Sequence, residues 1–133
     1  MNYIQYGKKL LQKKIKQDTE KGMTQQFYLV AIAFKGNKPV GIGFNNTQKT
    51  HPAQFRSAKS MNKQVYPNGN MAKYPHAEIL AIDNATKKGE QFDHLVVVRL
   101  KADGSLGMAK PCSICMNKIL KYKIKGITYS LDE

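Results

Sequence analysis

Residues 94–100, HLVVVRL, form a nearly uninterrupted apolar run of residues that favour strands. A strand with one face in water alternates apolar and polar residues, whereas this run is apolar at successive positions. We therefore expect a strand buried on both faces, in a sheet that is covered by helices on each side.

The rest of the chain supplies elements that can build such layers. Apolar residues recurring every three to four positions predict helices at 3–17, 76–88 and 112–122. Short apolar runs bounded by turn residues predict further strands at 27–34, 40–44 and 127–130. Together they predict one α/β domain over residues 1–133, a three-layer α-β-α fold. Its mixed sheet has about four strands, a β hairpin followed by parallel strands, flanked by helices.

The charge of the chain is strongly basic and unevenly distributed. Lysine and arginine number 22 against 9 acidic residues, a net charge of +13, and no acidic residue lies between Glu20 and Glu78. The pattern of apolar residues and lysines in residues 1–20 predicts a basic amphipathic helix. This pattern favours an anionic partner, either a nucleotide phosphate or a nucleic acid. Solubility alone is the alternative, because all but two of the basic residues, Arg56 and Arg99, are lysines without the bidentate fork of arginine.

No apolar run approaches the roughly 20 residues that span a bilayer. No apolar segment follows Met1 either, so a secretory signal is not expected. We expect a cytoplasmic protein with no membrane partner.

The two cysteines, Cys112 and Cys115, are three positions apart. Cysteines in an intracellular chain seldom form a disulfide. Taken alone, the spacing is compatible with a redox pair, half of a metal site or chance.

The sequence His76-Ala77-Glu78 narrows these alternatives. Both it and the Pro111–Cys115 segment stand at predicted helix starts on either side of one strand, which places them at the same edge of the sheet. One imidazole and two thiolates suit zinc, and three protein ligands leave a fourth position for water. Glu78 is about 200° around the helix from His76, so it is better placed to act on that water than to bind the metal.

The H-A-E sequence followed by P-C-x-x-C, each opening a helix, resembles the zinc-dependent cytidine and deoxycytidylate deaminase superfamily, in particular its small phage and bacterial members. The resemblance covers roughly residues 27–130 and implies the cytidine-deaminase-like form of the three-layer fold. It implies that His76, Cys112 and Cys115 bind Zn²⁺ and that Glu78 carries protons. The implied reaction is hydrolytic deamination of a cytosine nucleotide or nucleoside, of the dCMP or cytidine class, to the uracil form with release of ammonia.

The resemblance also suggests substrate contacts. Asn45, after the second hairpin strand, matches an asparagine that contacts the sugar, and backbone groups near Ala77 and Pro111 would read the edge of the base. His51 and Tyr74 are further candidates for the pocket. For Asn45 a turn role, and for Tyr74 simple packing, remain open alternatives. His94 is expected to be a packing or capping residue.

Many members of this family continue beyond the last strand with another helix and strand, whereas this sequence stops at Glu133. We therefore expect an exposed sheet edge that a second copy covers, giving a homo-oligomer.

Two other functions stay open at this stage. The first is a deaminase of cytosine or adenine within single-stranded DNA or RNA, which the basic charge favours. The second is a catalytically silent, zinc-stabilised binding module, against which the intact Glu78 argues.

Overall fold

The computed structural model describes residues 2–22, 28–45, 76–101, 103–111, 116–117, 119, 121–122 and 124–132. Its helices are α1, Tyr3–Glu20, and α2, Ala77–Lys87. Its strands are β1, Tyr28–Lys35; β2, Lys38–Phe44; β3, His94–Leu100; β4, Leu106–Gly107; and β5, Gly126–Tyr129. Met116, Asn117 and Ile119, in the predicted helix 112–122, are also helical.

The strands of the described residues form one mixed sheet of five strands with β1 and β3 at its centre. β1 pairs antiparallel with β2 and with β3. The other side of β3 pairs antiparallel with β4 and parallel with β5. The predicted hairpin is confirmed by the β1–β2 pairing, and β4 is one strand more than the roughly four expected.

The two faces of the sheet carry separate cores. Alternate residues of β1 and β3, including Val30, Phe34 and Val98, pack against α1. The intervening residues, including Ala31 and Val97, pack with α2 and with Ile119, which belongs to the predicted helix 112–122. Because helices cover both faces, the three-layer arrangement expected from the buried run 94–100 is observed.

Helix α2 lies unusually close to β2 because two glycines face it. A Cβ atom at Gly41 would overlap the carbonyl oxygen of Ala81, and one at Gly43 would overlap the carbonyl oxygen of Ala77. The Asn84 side chain also donates a hydrogen bond to the carbonyl of Ile42 at 2.6 Å. The position of α2 on the sheet is therefore fixed by direct contact between backbones.

The strands β2, β3 and β5 run in the same direction, so their carboxyl ends meet at one edge of the sheet. Helix α2 begins at this edge, since Ala77 lies over Gly43 near the end of β2 and the helix then runs back along the strand. In open α/β sheets, this carboxyl edge is where ligands usually bind. In the described part of the chain, no helix is long and apolar enough to cross a membrane.

Candidate active site

The start of α2 carries two of the predicted functional residues, His76 and Glu78. His76 occupies the N-cap position with an extended backbone, at φ −87° and ψ 148°, and its imidazole makes no capping hydrogen bond. Glu78 lies in the first turn and is only 4% exposed. The positive end of the helix dipole favours a carboxylate there. The imidazole and the carboxylate thus stand at the carboxyl edge of the sheet, with the fully buried Ala77 between them.

Asn45 lies at the same edge, directly after β2. Its backbone N–H donates to the carbonyl of Leu29 at 3.0 Å, and its side-chain oxygen accepts from the Leu29 N–H at 2.9 Å. These two bonds extend the hairpin by one residue pair and hold the carboxamide in a defined position. The predicted contact with a sugar stays a prediction.

The segment leading to the cysteines passes the carboxyl end of β5. Ala109 donates its backbone N–H to the carbonyl of Ser130 at 3.0 Å, and the Ser130 hydroxyl donates to the carbonyl of Gly107 at 2.7 Å. Pro111 follows two residues later and is buried. At Ala109 the chain therefore lies at the edge at which His76 stands.

Cys112, Cys115, His51 and Tyr74 lie outside the described residues. Within the described ranges, no group of three or more His, Cys, Asp or Glu residues is arranged to hold a metal ion. The ligand set implied for zinc needs both cysteines, so it stays a prediction. The donor chemistry fits zinc, because one imidazole and two thiolates are the ligands of known catalytic zinc sites.

His94 stands at the start of β3, away from the edge where α2 begins. Its Nε2 atom lies 2.7 Å from the Thr128 hydroxyl oxygen, and its ring stacks on Tyr3 with the centroids 5.0 Å apart. The prediction of a packing role for His94 is confirmed.

Arg99, near the end of β3, is a residue that sequence reasoning passed over. It pairs across the sheet with Leu29, the residue to which Asn45 is bonded. The sequence does show that Arg99 is the one lysine or arginine in the apolar run 94–100. A continuous apolar run, however, does not indicate which face of the sheet that side chain occupies.

Comparison with known proteins gives a family match over nearly the whole chain. A sequence profile described as "Cytidine and deoxycytidylate deaminase zinc-binding region" matches residues 5–131. No curated protein sequence matches the chain.

Several solved structures resemble the fold. A guanine deaminase from Bacillus subtilis superposes with a TM-score of 0.51 and 19% identity over 98% of this chain, which spans only 65% of that protein. A dCMP deaminase from the cyanophage S-TIM5 has a TM-score of 0.47 and 18% identity, covering 93% of this chain and 82% of its own. A cytidine deaminase from Mycobacterium leprae has a TM-score of 0.45 and 16% identity, covering 90% and 86%.

Proposed function

The chain belongs to the cytidine and deoxycytidylate deaminase family, and on that premise we propose that it is a zinc-dependent hydrolytic deaminase of a cytosine nucleotide or nucleoside. The observation that carries the proposal is the carboxylate of Glu78, 4% exposed in the first turn of α2 and two residues from the N-cap His76. The first turn of a helix favours a carboxylate, and the edge of the sheet at which this helix begins is where ligands usually bind.

His76, Cys112 and Cys115 would hold the zinc ion. When bound, zinc supplies Lewis acidity that activates water for attack at neutral pH. The place of His76 at the start of α2 supports this role, because its half-buried imidazole stands at the carboxyl edge of the sheet, where ligands usually bind.

Glu78 carries the protons of the proposed reaction. It takes a proton from the attacking water and gives it to the ring nitrogen next to the amine-bearing carbon, while the water oxygen bonds to that carbon. It then moves the remaining hydroxyl proton to the amine, which leaves as ammonia, and the carbon retains the oxygen as a carbonyl. Burial limits exchange of these protons with bulk water, which favours their return to the substrate.

The remaining candidates would position the substrate. We assign the sugar to Asn45, whose carboxamide is held by Leu29, and the edge of the base to backbone groups at Ala77 and Pro111. Both Ala77 and Pro111 are buried, and Ala77 stands at the carboxyl edge, which supports a role in lining a pocket. His51 and Tyr74 remain further candidates for that pocket.

The substitution Glu78→Gln tests the proposal. We expect ammonia release from deoxycytidylate to fall by at least about 100-fold, because the amide cannot accept the proton of water. The zinc content should not change, since Glu78 is not a ligand. Glu20→Gln, an exposed change of the same kind at the end of α1, should leave both quantities as they are. Full activity in Glu78→Gln would contradict the proposed role.

A further inference from the structure

The orientation of Arg99 follows from the alternation of side chains along β3. Leu95 and Val97 belong to the core on the α2 face of the sheet, whereas Val96 and Val98 belong to the core on the α1 face. Because successive strand residues point to opposite faces, Arg99 shares the face of Val97. The guanidinium-bearing side chain is therefore on the side of the sheet that carries the candidate site.

The strand register places Arg99 at the open end of that face. Val97 of β3 lies opposite Ala31 of β1, which in turn lies opposite Gly43 of β2. Helix α2 begins above Gly43, at Ala77. Arg99 lies two residues after Val97 along β3, which brings it about 7 Å closer to the carboxyl edge. It is therefore beyond the part of the sheet that the first turn of α2 covers. At that level the sheet presents Arg99, Leu29 and Asn45 side by side.

The surroundings hold the Arg99 side chain in place. Its aliphatic part crosses Gly107 of β4, where an added Cβ atom would lie 3.2 Å from Cδ and 3.4 Å from Cγ of Arg99. Its backbone N–H donates to the hydroxyl of Ser130 at 3.0 Å. The residue is half-buried and its Nε atom is buried, so the guanidinium is restricted in position. A planar, restrained guanidinium recognises phosphate through paired hydrogen bonds, which the more flexible lysines cannot reproduce.

Resting on the deaminase function proposed above, we propose that Arg99 is a specificity-determining residue that binds the phosphate of the substrate. The substrate class is then a cytosine nucleoside monophosphate rather than a free nucleoside. Arg99 would hold the phosphate and Asn45 the sugar, since the two residues lie beside Leu29, one on either side of β1. The base would then reach Glu78 at the start of α2.

The test compares deoxycytidylate with deoxycytidine in binding and in turnover. In Arg99→Gln, the Kd and KM for deoxycytidylate should rise by about 10- to 100-fold, because a charge-assisted bond pair to phosphate is lost. For deoxycytidine the change should stay within about 3-fold, the usual range of context effects on single contacts. Arg99→Lys should give an intermediate loss, since it keeps the charge but not the fork.

Lys87→Gln, an exposed change at the end of α2, controls for the loss of one positive charge and should leave both ligands unaffected. Equal losses for deoxycytidylate and deoxycytidine, or no loss for either, would overturn the role of Arg99 and leave the deaminase function standing. Calorimetric binding separates the two claims: if the native protein binds deoxycytidylate through Arg99 but releases no ammonia, the deaminase function fails alone. Failure of the native protein to bind deoxycytidylate would overturn the Arg99 proposal.

Discussion

His76 and His94 show how residues of one type take different tasks according to their place in the sheet. His76 stands at the N-cap of α2, at the carboxyl edge where open α/β sheets usually bind ligands. His94 stands at the start of β3, bonded to Thr128 and stacked on Tyr3 of α1. The first position suits metal binding, and the second position joins α1 to the sheet.

Substituting each histidine by alanine should therefore separate zinc binding from stability. We expect His76→Ala to lose most of its zinc, because one of three proposed ligands is removed. We expect His94→Ala to keep its zinc but to lose about 1–3 kcal/mol of unfolding free energy, since a hydrogen bond and a ring contact disappear. Metal analysis and denaturant titration of both variants measure these effects. Undiminished zinc in His76→Ala would show that the ligand set is wrong.

At the site, the sequence allowed prediction of residue types but only part of their placement. His76 and Glu78 could be placed because a helix start is visible in the sequence. The bonds between Asn45 and Leu29 depend on strand register, which a single sequence specifies weakly. Arg99 was missed for the same reason, because its relation to Asn45 arises only when β1 pairs with both β2 and β3.

Among the elements, α2 owes its position to the alternating glycines of β2. Gly41 and Gly43 face the helix and allow its backbone to touch the strand. Glycine in a strand often marks such a close approach. Because Gly43 lies under the first turn, it sets where His76 and Glu78 stand relative to the sheet.

The variant Gly43→Ala should disturb the site more than it disturbs the fold. An added methyl group would push Ala77 and Ala81 outwards, so we expect a loss of about 1–3 kcal/mol together with reduced zinc content and activity. Gly7→Ala is the matched control, because its methyl group would meet Val98 on the opposite face. Gly7→Ala should lower the free energy of unfolding and leave zinc content and kcat unchanged. Equal activity losses in the two variants, measured at equal folded fractions, would contradict the role assigned to Gly43.

The elements that the sequence predicted well are those with a clear helical period or with an apolar run bounded by turn residues. The helix expected at 3–17 extends over Tyr3–Glu20, the strand expected at 94–100 is His94–Leu100, and the hairpin strands differ by one or two residues at their ends. The short strand β4 was not among the predicted strands, because Leu106 and Gly107 lie among turn residues and pair only through contact with β3.

For the whole molecule, the placement of charge matters more than the total of +13. The exposed lysines of α1, including Lys9, Lys13 and Lys16, lie in the layer opposite α2 and the candidate site. They contribute to long-range attraction of anions, which salt screens. Arg99 is instead on the face of the site, and the phosphate contact proposed for it favours a mononucleotide over an extended nucleic acid.

Deamination of the mononucleotide is tested most directly by following the base and its oxygen during turnover. The native protein is incubated in water enriched in heavy oxygen with either deoxycytidylate or a cytosine-containing single-stranded oligonucleotide, and the products are analysed by mass spectrometry. If Glu78 and zinc act as proposed, deoxycytidylate becomes deoxyuridylate carrying one heavy oxygen on the base, with one ammonia released per turnover. Unchanged deoxycytidylate, or conversion of cytosine only within the oligonucleotide, would contradict this proposal.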